Sequence, residues 1–228
     1  MKTIGLIGGM SWESSLEYYR IINEEVKQKL GGLHSAKCIL YSVDFNEIEL
    51  YQSQGRWDLA GEILGEAALR LEKAGADFIV ICTNTMHKVV DLIEEKTKLP
   101  ILHIADETAA QIKSSGLKTV GLLGTKYTME QEFYKSRIES TGIKVLIPDE
   151  SSRETINSVI YNELCLGNIQ LSSRKYLMTV ITSLVAAGAE GIILGCTEIG
   201  LFVQQEDADV PLFDTTLIHA FGAVNKAL

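Results

Sequence analysis

The chain has 228 residues, 46% of them hydrophobic and 22% charged, with a mean hydropathy of +0.12, a globular composition long enough for one large domain or two small ones. Its formal charge of −9 comes with no Lys/Arg cluster, which excludes nucleic acid as a partner, because phosphate contacts need a basic face. No segment approaches the roughly 20 apolar residues of a membrane span, so no membrane-spanning helix is expected.

In chain order, short apolar runs at 3–7, 38–42, 78–81, 101–104, 119–123, 145–147, 192–194 and 211–213 predict eight strands. Amphipathic patterns at 16–29, 59–73, 130–140, 155–164 and 176–187 predict helices between them. Such alternation means βαβ units and parallel sheets covered on both faces. Eight strands divide into two sheets of four. "KTIGLIGGMSWE" at 2–13 matches "KTVGLLGTKYTME" at 118–130, an offset of 116. "GADFIVICTNT" from 75 matches "GAEGIILGCTE" from 188 (offset 113), and "LPILHIA" from 99 matches "VPLFDTT" from 210 (offset 111). Three similar offsets in chain order indicate duplication. The expectation is an α/β protein of two pseudo-symmetric domains, each a four-stranded parallel sheet flanked by helices, with the active site in the cleft between them.

Ligands of open α/β sheets sit outside the carboxyl ends of the strands. Those ends deliver Gly8, Gly9, Met10 and Ser11, then Thr83, Asn84 and Thr85, then Gly124, Thr125 and Tyr127, and finally Cys196, Thr197 and Glu198. Ser11, Asn84 or Thr85, and Thr197 are candidate helix caps. Backbone N–H groups at such turns suit a carboxylate or phosphate, whereas neither glycine run has a nucleotide-binding spacing. At the offset of 113, Thr83 falls on Cys196 and Cys82 on Gly195. Two opposed groups flanking one carbon suit removal of a proton from one face and its return on the other, which is racemisation or epimerisation. A thiol at a helix N-terminus is expected to titrate below its ordinary value and to serve as base; a threonine hydroxyl is a far weaker acid, so the pair is unequal. The residues alone leave open that Cys196 is simply packed at a strand end.

The remaining chemistry-bearing residues read blandly. Cys38, Cys82 and Cys165 are expected to be reduced, packed thiols of a cytoplasmic protein, with neither CxxC spacing nor the density of a disulfide scaffold. The opening "MKTIGLIGG" lacks a signal peptide's long apolar stretch. His87 is expected to orient a helix start or pack, His103 and His219 follow the fourth strands, and His34 sits in a surface turn. No spacing resembles a zinc site, so no metal is expected. Lys88 and Lys126 lie near strand ends, yet nothing else suggests a Schiff-base cofactor; no cofactor is expected.

"GLIGGMSWESSLEYY", "CTNTMHK", "LHIADETA", "GLLGTKYTMEQEFY" and "LGCTEIGLFV" together resemble the aspartate/glutamate racemase family of cofactor-independent amino-acid racemases, especially its enterobacterial-type branch for L-aspartate and L-glutamate. The resemblance covers nearly the whole chain. It implies a first domain of 1–97 plus 208–228, a second of 98–207, a small-molecule amino-acid substrate and a homodimer. By its motifs Cys196 matches the second catalytic cysteine, and Thr83 stands where the first cysteine precedes "NT". Asn84 and Thr85 match positions implied to hold the substrate's α-carboxylate or α-amino group. Met10, Thr125 and Thr197 line the site from other strand ends, and Gln52, placed on the loop after strand two, is the candidate for side-chain selection. Relatives carry a lysine near Cys165 that this chain lacks, which puts the preference for acidic substrates in question. Alternatives are a hydantoin racemase, a maleate-isomerase-like enzyme, or a sensor that binds an amino acid without turning it over.

Overall fold

Residues 1–168 and 170–228 are described by a computed structural model. In chain order the first half runs β1 (Ile4–Gly8), α1 (Trp12–Leu30), β2 (Cys38–Ser42), α2 (Phe45–Ser53), α3 (Trp57–Lys73), β3 (Phe78–Ile81), a tight helical turn at Thr85–Val89, α4 (Val90–Glu94) and β4 (Ile101–Leu102). The second half runs α5 (Ile104–Ser114), β5 (Thr119–Gly124), α6 (Lys126–Glu130), α7 (Glu132–Glu139), β6 (Lys144–Leu146), α8 (Glu150–Asn162), a turn at Leu164–Leu166, α9 (Leu171–Ala186), β7 (Ile192–Gly195), α10 (Thr197–Phe202), β8 (Leu212–Asp214) and α11 (Thr215–Ala227). Contacts divide the chain into two units, Met1–Ile104 with His219–Leu228, and Ala105–Ile218. Each holds one four-stranded parallel sheet, in the orders β2-β1-β3-β4 and β6-β5-β7-β8.

Both faces of the first sheet are buried, which is why β1 and β3 read as unbroken apolar runs. Side-chain alternation sorts them. Ile4, Leu6, Phe78, Val80 and Cys82 pack with α1 and α11 through Tyr18, Ile22, Ala220 and Val224. Ile7, Ile79 and Ile81 pack on the other face with Ile48, Leu64, Ala68, Met86 and Ile93. Several helices start where a short polar side chain satisfies a free amide: Ser11 accepts from Ser14 N–H before α1, Asp44 from Asn46 N–H before α2, and Asp149 from Ser152 N–H before α8. Among the described residues, no helix is long and apolar enough to cross a membrane.

Several expectations shift. The predicted strand at 101–104 is strand only at Ile101–Leu102, because α5 begins at Ile104. The predicted helix at 130–140 is α7 from Glu132 to Glu139; the separate short helix α6 precedes it and ends at Glu130, with the break where Gln131 is extended. The expected boundaries at 97/98 and 207/208 assign β4 to the second domain and β8 to the first; strand pairing assigns them the other way, since β4 pairs β3 and β8 pairs β7. Only His219–Leu228 returns to the first unit.

Candidate active site

In each sheet the chain departs to one side from the first strand and to the other from the third. The switch points therefore lie between β1 and β3 and between β5 and β7, where ligand crevices of such sheets form. At the first switch point, β1 leaves through Gly9, whose φ of +92 suits glycine and whose absent Cβ would meet Val43 O at 2.2 Å. Met10 follows, buried, and then Ser11. The Ser15 hydroxyl fixes this loop by accepting from Gly9 N–H at 2.7 Å and donating to Ser11 O at 3.0 Å. Ser14 donates to Cys82 O at 2.7 Å, tying the exit of β3 to the first turn of α1.

β3 delivers Cys82, Thr83, Asn84 and Thr85. Cys82 is fully buried among the residues packed beneath α1 and α11, and burial pushes its thiol far up, so it is a core residue. Thr83 is next in the alternation and only half-buried. Asn84 and Thr85 are buried; Asn84 occupies the cap position of the following turn but makes no side-chain cap bond. Gln52 sits on α2, not on a loop, and its Nε2 lies 2.8 Å from Met86 Sδ.

A cluster of imidazoles lies directly behind this turn. His87 Nδ1 is 2.8 Å from Thr83 O, and its Nε2 lies 3.2 Å from Ile104 N–H. His219 Nε2 is 2.9 Å from Leu102 O, and its Nδ1 is 2.8 Å from Tyr18 Oη. The rings of His103 and His219 are 4.5 and 5.7 Å from that of His87. Burial, then the neighbouring histidines, hold His87 well below the usual imidazole range, and burial takes His219 to about 4. Both nitrogens of each ring are engaged by protein atoms, which leaves these two rings no lone pair for a metal.

In the second unit, Gly124 of β5 pairs with Gly195 of β7. A Cβ on Gly124 would meet Gly195 O at 2.9 Å, and one on Gly195 would meet Leu123 O at 2.8 Å, so the strand ends approach as only glycine allows. Thr125 caps α6 by accepting from Thr128 N–H. Beyond β7 the cap position of α10 is Cys196, not Thr197, and its side chain makes no cap bond. The Thr197 hydroxyl instead accepts from that of Thr216 at 3.0 Å. Cys196 is 8% exposed, and its thiol donates to Glu198 Oε2 at 3.0 Å. Burial first, then the Glu198 charge, raise the thiol well above its usual value, and the Glu198 N–H opposes them only weakly. The expected lowering at a helix start is overturned: Cys196 rests as a thiol.

Sequence reasoning therefore passed over Glu198 as the partner of Cys196 and His87 as the partner of Thr83. The signals were present as an acid two residues after the cysteine and a histidine four residues after the threonine. The two lysines weighed as cofactor anchors are held elsewhere, Lys88 over the Trp57 ring at 3.9 Å and Lys126 beside Glu154 at 3.4 Å.

The sheet registers align the two candidate sets. Ile7 pairs with Ile81, and Cys82 N–H donates to Ile7 O, so one step further Gly8 stands beside Cys82. Gly124 likewise stands beside Gly195. With Gly8 equivalent to Gly124, Thr83 and Cys196 each lie one residue past that level. The same ladders give Ile79 paired with Ile101 and Ile192 paired with Leu212, which reproduces the offsets of 113 and 111.

A family model described as Asp/Glu/Hydantoin racemase matches residues 7–221. The chain is 59% identical to a Yersinia pestis protein whose crystal structure was solved as that of a candidate Asp/Glu racemase, at a TM-score of 0.93 over 100% of this chain and 99% of that one. It is 36% identical to an aspartate racemase homologue from Pyrococcus horikoshii, at a TM-score of 0.86 and the same two coverages. It is also 26% identical over 163 residues to the broad specificity amino-acid racemase RacX of Bacillus subtilis, covering 72% of this chain and 70% of the relative.

Proposed function

Because the chain belongs to the Asp/Glu/hydantoin racemase family, we propose that it racemises aspartate, glutamate or a close relative without a cofactor, using Cys196 and Thr83 at the two faces of the substrate's Cα. Family membership supports the coarser statement, an isomerase acting on an amino acid. The observation that carries the finer one is the ladder register, in which Thr83 and Cys196 occupy one place in two copies of one sheet.

The α-hydrogen of an amino acid is only weakly acidic, so most of the work is stabilisation of the carbanion by fixed donors at the strand ends. Cys196 rests protonated, ready to deliver a proton to the carbanion. To act in the other direction it passes that proton to Glu198, the carboxylate 3.0 Å away, and then takes the α-hydrogen. Thr83 cannot rest as an alkoxide. When Cys196 takes the α-hydrogen, Thr83 donates its hydroxyl proton to the opposite face or holds the water that does so. When Cys196 delivers, that water takes the α-hydrogen on the Thr83 side, and exchange with solvent resets Thr83 and discharges the proton held by Glu198. Asn84 and Thr85 at the same turn, Met10, Thr125 and Thr197 at the neighbouring ends, and Gln52 on α2 are the substrate-holding residues of this reading.

The test is a panel of free L and D amino acids, hydantoins and maleate in deuterium oxide, read by chiral chromatography and α-deuterium content. Inversion of aspartate, glutamate or a near relative is the expected result, and Cys196→Ala is expected to abolish α-proton exchange. Exchange that survives Cys196→Ala sinks the assignment. Binding without exchange at any enzyme concentration sinks the enzyme reading.

A further inference from the structure

We propose that His87 is a positioning residue for Thr83: as the neutral tautomer with its proton on Nδ1, it donates to the Thr83 carbonyl and fixes the turn that aims the Thr83 hydroxyl. The inference rests on the reading that Thr83 serves one face of the substrate.

The tautomer follows from partners whose roles leave no choice. The Ile104 backbone N–H only donates, so His87 Nε2 accepts and the ring's one proton lies on Nδ1. Thr83 O only accepts, so Nδ1–H donates to it across 2.8 Å. The second ring is fixed in the same way with the opposite tautomer. Leu102 O forces His219 to carry its proton on Nε2, and Nδ1 then accepts from the Tyr18 hydroxyl. The chain from Tyr18 of α1 through His219 of α11 ends on Leu102, two residues before Ile104, which donates to His87. Thr83 is thus held from behind by α1, α11 and the start of α5, beyond the last paired residue of β3. Such backing matters most for a short hydroxyl on a turn, because a misplacement of about 1 Å costs on the order of a hundredfold in rate.

Two substitutions separate positioning from bulk support. In His87→Asn the side-chain amide reaches the place of Nδ1 and still donates to Thr83 O, but it loses Ile104. In His87→Gln the amide oxygen reaches the place of Nε2 and serves Ile104, but Thr83 O is abandoned. The measurement is incubation of L-aspartate and L-glutamate in deuterium oxide, scoring α-deuterium in the recovered L isomer against D isomer formed. His87→Gln should raise the ratio of exchange to inversion at least about tenfold, while His87→Asn stays within about threefold of wild type. Imidazole nitrogen chemical shifts of the unmodified protein should show His87 with its proton on Nδ1. If neither variant folds, that spectrum decides, and a proton on Nε2 overturns the inference. Wild-type turnover with both variants losing exchange and inversion in one common proportion also overturns it, while leaving the racemase reading intact. A wild type that neither exchanges nor inverts overturns that reading and this inference with it.

Discussion

Among single residues, the pairing of Cys196 with Glu198 says most about the chemistry. A carboxylate 3.0 Å from a buried sulfur disfavours the thiolate, and it does so more strongly than the amide N–H of the same residue favours it. The sequence suggested the reverse, because a helix start lowers a thiol's pKa and the acid two positions on is not visible as a contact before the turn is folded. Glu198→Gln removes the charge and keeps the shape. It should therefore ease ionisation of Cys196 and move the limb of kcat/KM that depends on the thiolate to lower pH. The pH profile for the L isomer checks this, independently of any loss in absolute rate. A limb that stays in place or moves upward means that Glu198 does not hold the thiol proton. Cys82 lies instead in the apolar packing beneath α1 and α11, where burial pushes its thiol far up.

The elements are where the sequence was most legible. Short continuous apolar runs marked all eight strands, and the offsets of 116, 113 and 111 read from the letters recur in the ladders, because a repeated strand must repeat its register to bury the same face. Less legible were α2, hidden in a short and weakly patterned stretch, and the two-residue β4, whose apolar continuation belongs to a helix. Gln52 was consequently expected on a loop. The domain boundaries suffered from the same blindness, since which sheet accepts β4 or β8 is a long-range choice that local pattern does not carry. The glycine pair at the ends of β5 and β7 supplies a test at this scale. Gly195→Ala places a Cβ 2.8 Å from Leu123 O, against rigid backbone, whereas Gly142→Ala meets nothing within 4 Å and suffers only from its φ of +89. Overpacking at the first should cost about 1–3 kcal/mol, and left-handed strain at the second about 1–2 kcal/mol. Denaturant unfolding of both variants checks the magnitudes. The distinction that matters is that Gly195→Ala also spreads the strand ends beside Cys196, so its activity should fall further than its stability alone accounts for, while Gly142→Ala keeps its activity.

For the molecule as a whole, the buried imidazoles make folding of the first unit depend on pH. His219 titrates at 6.5 when unfolded and at about 4 when folded, and His87 is displaced in the same direction by burial and its histidine neighbours. Between those values the unfolded chain takes up protons that the folded chain refuses. Stability is therefore complete above the unfolded value and is lost as pH falls from 6.5 towards about 4, by about 3 kcal/mol for His219 alone. Carboxylates also weaken proteins in acid, but those of the first unit with lowered values, Asp58 and Glu72, act only below the ordinary carboxylate range. The histidine signature is thus an early onset, about two pH units above the carboxylates. Both tryptophans, Trp12 and Trp57, belong to the first unit, so tryptophan fluorescence follows its unfolding without contribution from the other. Urea midpoints read this way should begin to fall near pH 6.5. His219→Gln, whose amide can still donate to Leu102 O, should lower the midpoint at neutral pH yet flatten its slope between there and pH 4. A wild-type midpoint that holds level until the carboxylates titrate means the imidazoles are protonated in the folded unit, and the tautomers assigned to His87 and His219 fall with it.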